Sequence, residues 1–573
     1  MVGMQDERRW IVATCVAAVS AIASYLGAEL VMAGEVGPAQ DDGWIYFSAA
    51  RSFVEGDWFS YPGHEGPVAA ITGPLWSFVL AIAMSVGGAS AVTAKVVGLA
   101  MYGAVLRATW FLAHTATDDR RLAWIATLVV AVTGRILWSS LSGMEGGLGT
   151  ALVLTGMAMH LRQRDAPLRR WLPAAVVLTA AGWARPENHA FLLIAALHRR
   201  SLFALAAATA LAALFPLYHL GVYGIAAPLP LFAKALPDAP WSVLRDRGAL
   251  AGLGALLAAM VQQVGSVLGL LVSFVPFLVP GFLTGWREGR RARNGVGFLV
   301  ASLVGFTLVR SALGAQPAVT QQARYFIQLW PLFLIVCLHG LDFARRGRGL
   351  PIAILVALAA AFVLDPRLAS YQAFDFVGPD SPFGPERLVV ALFWLPVALA
   401  ISIALAGWFS RGATGRAGTP PVAIIAAWLA LSLAVGAHHH GSGVRDTFDL
   451  NVRMARNVNA ETRPGELIAC HDIGALGWFA DRPLLDLVGL ANPEVTFHPL
   501  HHDLGRWFGA ILSTHRPRWL CVTDTMLGNL NPNAAPVPGL ASLREVERAR
   551  VHSEVNITVA GSRYHLIELT WQP

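Results

Sequence analysis

The sequence predicts a polytopic α-helical membrane protein with about 13 transmembrane helices, followed by a C-terminal soluble α/β domain. Of its 573 residues 55% are apolar and only 14% charged, with a mean hydropathy of +0.53, whereas a soluble protein carries about 25% charged residues. Apolar stretches of roughly 15 to 25 residues recur from Trp10 to about Val435, each long enough to cross a hydrocarbon core of about 30 Å. Beyond residue 437 Asp, Glu, His, Asn and Pro interleave with short apolar runs, the pattern of a water-facing domain. The chain therefore divides into a membrane part, 1–436, and an extracytoplasmic part, 437–573. Disorder and an ordinary cytosolic enzyme are excluded.

Candidate spans are 10–33, 73–89, 92–113, 121–138, 145–161, 171–184, 187–198, 201–221, 254–283, 295–313, 325–343, 350–364, 387–408 and 420–436. No small-residue cleavage site follows the first, which reads as an uncleaved signal anchor. The net charge of +7 does not point to nucleic acid, because the arginines cluster between spans: Arg8/Arg9, Arg162/Arg164/Arg169/Arg170, Arg199/Arg200, Arg287/Arg290/Arg291/Arg293, Arg345/Arg346/Arg348 and Arg411/Arg416. The positive-inside rule places these clusters and the N-terminus in the cytoplasm. An even number of spans would leave the C-terminal domain inside as well, against every cluster after residue 160. One segment between 73 and 138 is therefore expected to be re-entrant, which buried backbone permits. That leaves about 13 crossings, with 34–72 as the first outward loop. The expected location is a bacterial inner membrane, with the terminal domain on its outer side.

The outward loops hold most of the polar chemistry. Asp41-Asp42-Gly43 precedes apolar residues at 46, 47, 50, 53 and 54, the spacing of an amphipathic helix at the membrane surface. The two acids suit helix capping and equally suit removal of a proton from an acceptor hydroxyl. Glu145 opens a span, Arg185-Pro186-Glu187 interrupts a hairpin, and Lys234 is one of two lysines, with Lys95, against 41 arginines. Ionisable residues at membrane depth are functional candidates. Arg185 with Glu187 also reads as a local ion pair, and Gln322, Arg324 and Tyr325 as interfacial anchors. His438-His439-His440 lacks the one-face spacing of a zinc site and reads as a polar linker. No Walker, Gly-x-Ser-x-Gly or Cys-x-x-Cys motif appears, which argues against nucleotide-driven transport, serine hydrolysis and thiol redox chemistry.

In the terminal domain Glu466–Cys470 and Arg518–Val522 read as parallel strands leading to Asp472 and Asp524, with a turn and short helix at 473–479 and a late strand at 564–569. Four cysteines make no disulfide framework, and a Cys470–Cys521 bridge is not indicated.

In order along the chain, Asp41-Asp42-Gly43 with Gly56, Thr72-Gly73-Pro74-Leu75-Trp76, Ser142-Gly143-Met144-Glu145, Ala184-Arg185-Pro186-Glu187, Phe232-Ala233-Lys234 and Arg324-Tyr325-Phe326 resemble the motifs of the C-type glycosyltransferases. These are polytopic enzymes that take sugars from polyprenyl-phosphate donors. Asp472-Ile473-Gly474-Ala475-Leu476-Gly477 and Asp486-Leu487-Val488-Gly489-Leu490 are similar to outer domains of bacterial members. Within the family the Asp-Asp-Gly start and the Ser-Gly-x-Glu motif are similar to those of mycobacterial terminal arabinofuranosyltransferases. The chain departs from the family at Tyr61-Pro62-Gly63-His64 and Ala70-Ile71-Thr72-Gly73, which bears on acceptor identity.

The resemblance implies a fold, a donor and a set of roles. Lys234, Arg324 and Arg185 would hold the donor phosphate, and Asp41 or Asp42 would be the base of an inverting displacement. Glu145 would position the sugar or stabilise charge on its ring, with Trp44, His64, Glu187, Gln322 and Tyr325 around the substrates. The partners would be a polyprenyl-phosphate sugar donor, a glycan, lipid or protein acceptor and membrane lipid. The terminal domain would hold a glycan. A divalent cation at Asp41/Asp42 stays open, with no ligand set to define it. The alternatives are a flippase of lipid-linked sugars and a glycan-binding scaffold without catalysis.

Overall fold

The computed structural model describes residues 2–64, 66–233, 240–274, 295–312, 324–346, 419–498, 504–529, 537–551 and 562–573. The expected spans 350–364 and 387–408, and the site candidates Lys234 and Gln322, lie outside these residues.

The first part is helical: α1 (Val2–Ala33), α2 (Asp41–Glu55), α3 (Pro74–Gly87), α4 (Ala91–Thr117), α5 (Arg120–Ala131), α6 (Gly134–Leu141), α7 (Gly146–Gln163), α8 (Leu168–Ala184), α9 (His189–His198) and α10 (Leu202–Tyr223). There follow α11 (Leu229–Ala233), α12 (Pro240–Arg247), α13 (Ala249–Phe274), α14 (Gly295–Ala312), α15 (Leu329–Arg346) and α16 (Thr419–Thr447). Among the described residues Glu7–Ala33, α4, α10 and α14 are long and apolar enough to cross a membrane, and α5 with α6 are so only when taken together across a 60° bend. Together they describe a multi-pass membrane protein. Ile11, Val12, Val16, Val19 and Val31 of α1 are exposed, as a lipid-facing stripe requires.

The segment 73–89 forms α3, whose two ends lie at one end of the bundle. Glu7 at the start of α1 meets Arg120 just after α4, while Glu29 near the end of α1 holds Lys95 near the start of α4 at 2.8 Å. The two helices therefore run antiparallel. The start of α3 lies beside Ala184 and Glu145, and its end joins the start of α4, so both ends sit at the Glu29 end of the bundle. Its 14 residues extend only about 21 Å, short of a bilayer core.

The expected boundary at 436/437 is crossed by an unbroken helix. α16 runs through it, a π turn follows at Phe448–Val452, and α17 (Arg453–Glu461) continues. Composition changes where the surroundings change from lipid to water, but helical hydrogen bonds run through both. The polar linker expected at His438–His440 is thus corrected: these residues are helical and His440 is fully buried, because Glu29 provides it with a partner.

The terminal domain is built on a five-stranded sheet, order β2-β1-β3-β5-β4. The strands are β1 (Ile468–Cys470), β2 (Leu484–Asp486), β3 (Trp519–Thr523), β4 (Leu540–Arg550) and β5 (Arg563–Trp571). β1 pairs in parallel with β3, as expected, and also with β2, a strand not expected from the sequence; β5 is antiparallel to β3 and β4. Cys470 and Cys521 are register partners yet both are free thiols. Alternation sorts the strands' side chains to two faces. Ala469, Leu485, Leu520, Val522 and Ile567 pack on Trp507, Phe508, Ile511 and Leu512 of α20 (Leu504–His515). Ile468, Cys470, Cys521, Tyr564 and Leu566 share a core with Trp44, Phe47 and Tyr61 of the first loop. The remaining short helices are α18 (Gly474–Phe479), α19 (Pro493–Thr496) and α21 (Asp524–Asn529).

Candidate active site

A cavity of about 360 Å³ opens where α2, α9 and α14 meet the segments 70–72, 144–145, 185–187, 228–231 and 324–325, with Leu490 reaching it from the terminal domain. Its shape depends on Gly73, where a Cβ would lie 2.1 Å from the Ala184 carbonyl oxygen. Only glycine lets this wall close against the end of α8.

One end of the cavity is charged. Arg324 holds Asp42 at 2.7 Å, and it also donates to Gln40 Oε1 at 3.1 Å and to the Tyr325 hydroxyl at 2.9 Å. Arg185 lies 3.3 Å from Glu145 and 3.2 Å from Glu187, and donates to the Arg324 carbonyl at 2.7 Å. Arg310, rising from α14, reaches Glu187 at 3.7 Å. The three guanidinium groups surround one ring, with the carbons of Arg185, Arg310 and Arg324 4.8, 4.7 and 4.9 Å from the centre of Tyr325. Glu145, Arg185, Glu187 and Arg310 form one chain of opposite charges, and Arg324 is paired with Asp42, so each buried arginine has a carboxylate beside it. Arg310 Nε, Arg324 Nε and Glu145 Oε2 are nevertheless buried and make no hydrogen bond among the described residues, a donor and acceptor set that calls for a ligand. The other side of the cavity is apolar: Ala190, Leu193, Pro228, Pro230, Leu231 and Val309.

Adjacent in sequence, the two aspartates face different partners. Asp42 lines the cavity. The Asp41 carboxylate instead accepts the backbone N–H groups of Gly474 and Ala475, each at 2.8 Å. The helix it caps is thus α18 of the terminal domain, while Gln40 stands at the N-cap of α2. Burial and the neighbouring Asp472 push the Asp41 carboxyl well above the usual carboxylate range, against those two N–H bonds.

Of the expected substrate residues, Glu187 and Tyr325 line the cavity but Trp44 and His64 do not. Trp44 is buried against Phe47, Phe448, Trp478 and Phe479, and His64 pairs through Nε2 with Asn492 at 2.9 Å. Both seat the terminal domain on the first loop. An aromatic or imidazole in a polar loop satisfies a docking face as readily as a substrate. Nor do Asp41 and Asp42 converge on a cation, and among the described residues no three His, Cys, Asp or Glu side chains form a metal-holding group.

Sequence reasoning missed Arg310 and Tyr46. Arg310 was within reach as the lone charge in the apolar run 295–313. Tyr46, counted as an apolar face residue, lines the cavity and pairs with Thr72 at 2.8 Å.

Comparison with solved structures gives the fold. The chain is similar to ArnT from Cupriavidus metallidurans bound to undecaprenyl phosphate, with a TM-score of 0.54 and 14% identity over 97% of this chain and 98% of that one. It is likewise similar to ArnT from the same organism in the apo state, at 0.53 and 13% over 98% of both chains. The archaeal oligosaccharyltransferase AglB from Archaeoglobus fulgidus, in complex with an inhibitory peptide and a dolichol-phosphate, matches at 0.49 and 12% over 91% of this chain and 70% of that one. Residues 442–567 match a family described as a domain of unknown function, DUF8728. No curated protein matches the sequence. At such identities the likeness to ArnT is one of architecture, extending through bundle and terminal domain alike.

Proposed function

We propose that the protein is a membrane glycosyltransferase that takes a sugar from a polyprenyl-phosphate donor and transfers it to a glycan, lipid or protein acceptor of the cell envelope. The observation that carries this reading is the amphiphilic cavity: buried arginines at one end and apolar walls along the other. Such a site suits a phosphate joined to a hydrocarbon tail. The fold shared with ArnT, one structure of which holds undecaprenyl phosphate, supports the same donor class, as do the family motifs.

In this reading Arg324, Arg185 and Arg310 hold the phosphodiester, with Lys234 nearby in sequence to the cavity segment 228–231. Binding of the phosphate draws Arg324 from Asp42, which is then free to act as the base. The acceptor oxygen attacks the anomeric carbon and gives its proton to Asp42. As the new C–O bond forms, the bond from that carbon to the phosphate oxygen breaks, and the lipid phosphate leaves with the electron pair. Single displacement inverts the configuration. Arginine forks take up the charge that develops on the leaving oxygen, and the open Glu145 Oε2 accepts a sugar hydroxyl or faces the electron-poor ring. Leu490 and the terminal domain bound the acceptor side. The site would lie on the outer face of a bacterial inner membrane, with the N-terminus in the cytoplasm. Donor sugar, arabinofuranose or another, is set by contacts at this end of the cavity.

The test is transfer by purified protein from a panel of polyprenyl-phosphate pentoses and hexoses to envelope glycans. Asp42→Asn is expected to lose about 10² or more of the rate, the scale of a lost general base, while Asp41→Asn retains chemistry in whatever fraction keeps its terminal domain seated. Donor binding without consumption across the panel would overturn the proposal.

A further inference from the structure

The mechanism leaves unused a second cluster of charge, deeper in the bundle. Glu29 of α1, Lys95 of α4 and His440 of α16 are all buried. Glu29 Oε2 takes both Lys95 Nζ and His440 Nε2 at 2.8 Å, and the two nitrogens lie 3.4 Å apart. The other carboxylate oxygen, Oε1, accepts the backbone N–H of Gly37 at 2.9 Å. A buried ion pair is weak evidence of stability, since well-packed apolar residues often replace one at no cost. What this pair holds is more informative.

Gly37 begins the short segment that leads to Gln40 and Asp42. It is clamped from the other side by Phe448, whose ring would lie 2.6 Å from a Cβ at this position. Three residues on, Gln40 Oε1 accepts from Arg324 Nη1 at 3.1 Å, and Asp42 pairs with Nη2 of the same guanidinium at 2.7 Å. The segment is thus fixed at one end by Glu29 and at the other by Arg324. α16 contributes to both sides of the clamp, through His440 at Glu29 and through Phe448 just beyond its last turn.

We propose that Glu29, Lys95 and His440 are positioning residues for Asp42 and Arg324. Lys95 and His440 fix the Glu29 carboxylate, and Glu29 fixes the Gly37–Gln40 segment that sets the Asp42–Arg324 geometry. The effect on turnover rests on the transferase reading; the effect on the segment does not.

The test compares Glu29→Gln, Lys95→Met, and the exchanged pair Glu29→Lys with Lys95→Glu, each purified as the full chain in detergent. The exchanged pair keeps opposite charges in the bundle but removes the acceptor for Gly37. We expect kcat to fall about tenfold in it, with affinity for undecaprenyl phosphate alone changed less than threefold and monodispersity retained. Lys95→Met is expected to lower kcat in the same direction, and Lys95→Arg, which keeps the cation beside Glu29, to stay within twofold of wild type. Amide exchange of the peptide spanning 34–47 rises at least tenfold in Glu29→Gln and in the exchanged pair. Exchange at the wild-type level in both variants overturns the proposal, whether or not the wild type transfers sugar. So does wild-type kcat in a folded exchanged pair. Absence of transfer by the wild type, with faster exchange in the variants, overturns the transferase reading alone and leaves the clamp supported.

Discussion

Asp41 and Gly474, 433 residues apart, approach so closely that a Cβ on Gly474 would sit 2.1 Å from the Asp41 carbonyl oxygen. The Asp41 carboxylate then closes on the same backbone through its two N–H bonds. Arg51 adds to this contact by donating to the carbonyls of Gly477 and Trp478, each at 2.8 Å. The seam between loop and terminal domain is therefore made largely of backbone groups, which tolerate little displacement.

Gly474→Ala should unseat that seam. The added methyl group has backbone on its near side and cannot be relieved by a side-chain rotation, so a cost of at least about 2 kcal/mol is expected. Limited proteolysis of the intact protein should cut between bundle and terminal domain faster than in wild type. Asp41→Ala, which strands two N–H groups, should move in the same direction by about 1–3 kcal/mol. Wild-type protection in both variants would show that the seam is held elsewhere.

Arg310 should govern affinity for the lipid phosphate. Replacing it by leucine removes a guanidinium whose Nε has no partner among the described residues, a loss worth about 1.5–3 kcal/mol for a charge-assisted bond. Binding of undecaprenyl phosphate should weaken tenfold or more, and Arg310→Lys should recover only part, because an ammonium lacks the planar fork. Equal affinity across the three proteins would place the phosphate away from Tyr325.

Acid should loosen the terminal domain through His471. Burial lowers its pKa to about 4, with Asp486 opposing the shift. An unfolded histidine titrates near 6.5, so between these values the unfolded state binds the additional proton and stability falls as pH falls. The contribution is present above about pH 6.5, declines by about 2 kcal/mol on going to pH 5, and is exhausted below about pH 4. Asp486, whose carboxyl burial raises, has the opposite sign, so the quantity to measure is the difference between wild type and His471→Asn. The pH 7 to pH 5 drop in the domain's thermal midpoint should shrink in the variant, and an unchanged drop would assign the acid sensitivity to another group.

The sequence made the bundle, the parallel β1–β3 pair and the charged end of the cavity legible, because each depends on local pattern or on ionisable residues in apolar surroundings. Arg185 and Glu187, which line the cavity, stood out in that way, whereas Arg324 and Tyr325 read locally as interfacial anchors and were reached through the family motifs. The division of labour between Asp41 and Asp42 was not legible, because successive residues on a helix point about 100° apart. Trp44, His64 and His440 were misread for a related reason. Their partners lie 434, 428 and 411 residues away, at Trp478, Asn492 and Glu29, and no local pattern carries that information.

The same distances impose an order on biosynthesis. A chain emerging from the ribosome inserts α1 and exposes Asp41, Trp44 and His64 long before residues 474–492 exist, so the first loop must wait unseated while the bundle assembles. Its final form becomes available only when residues 474–492 have been made. Insertion and maturation are thereby separated in time: a bundle can already be in the membrane while its first loop is still incomplete.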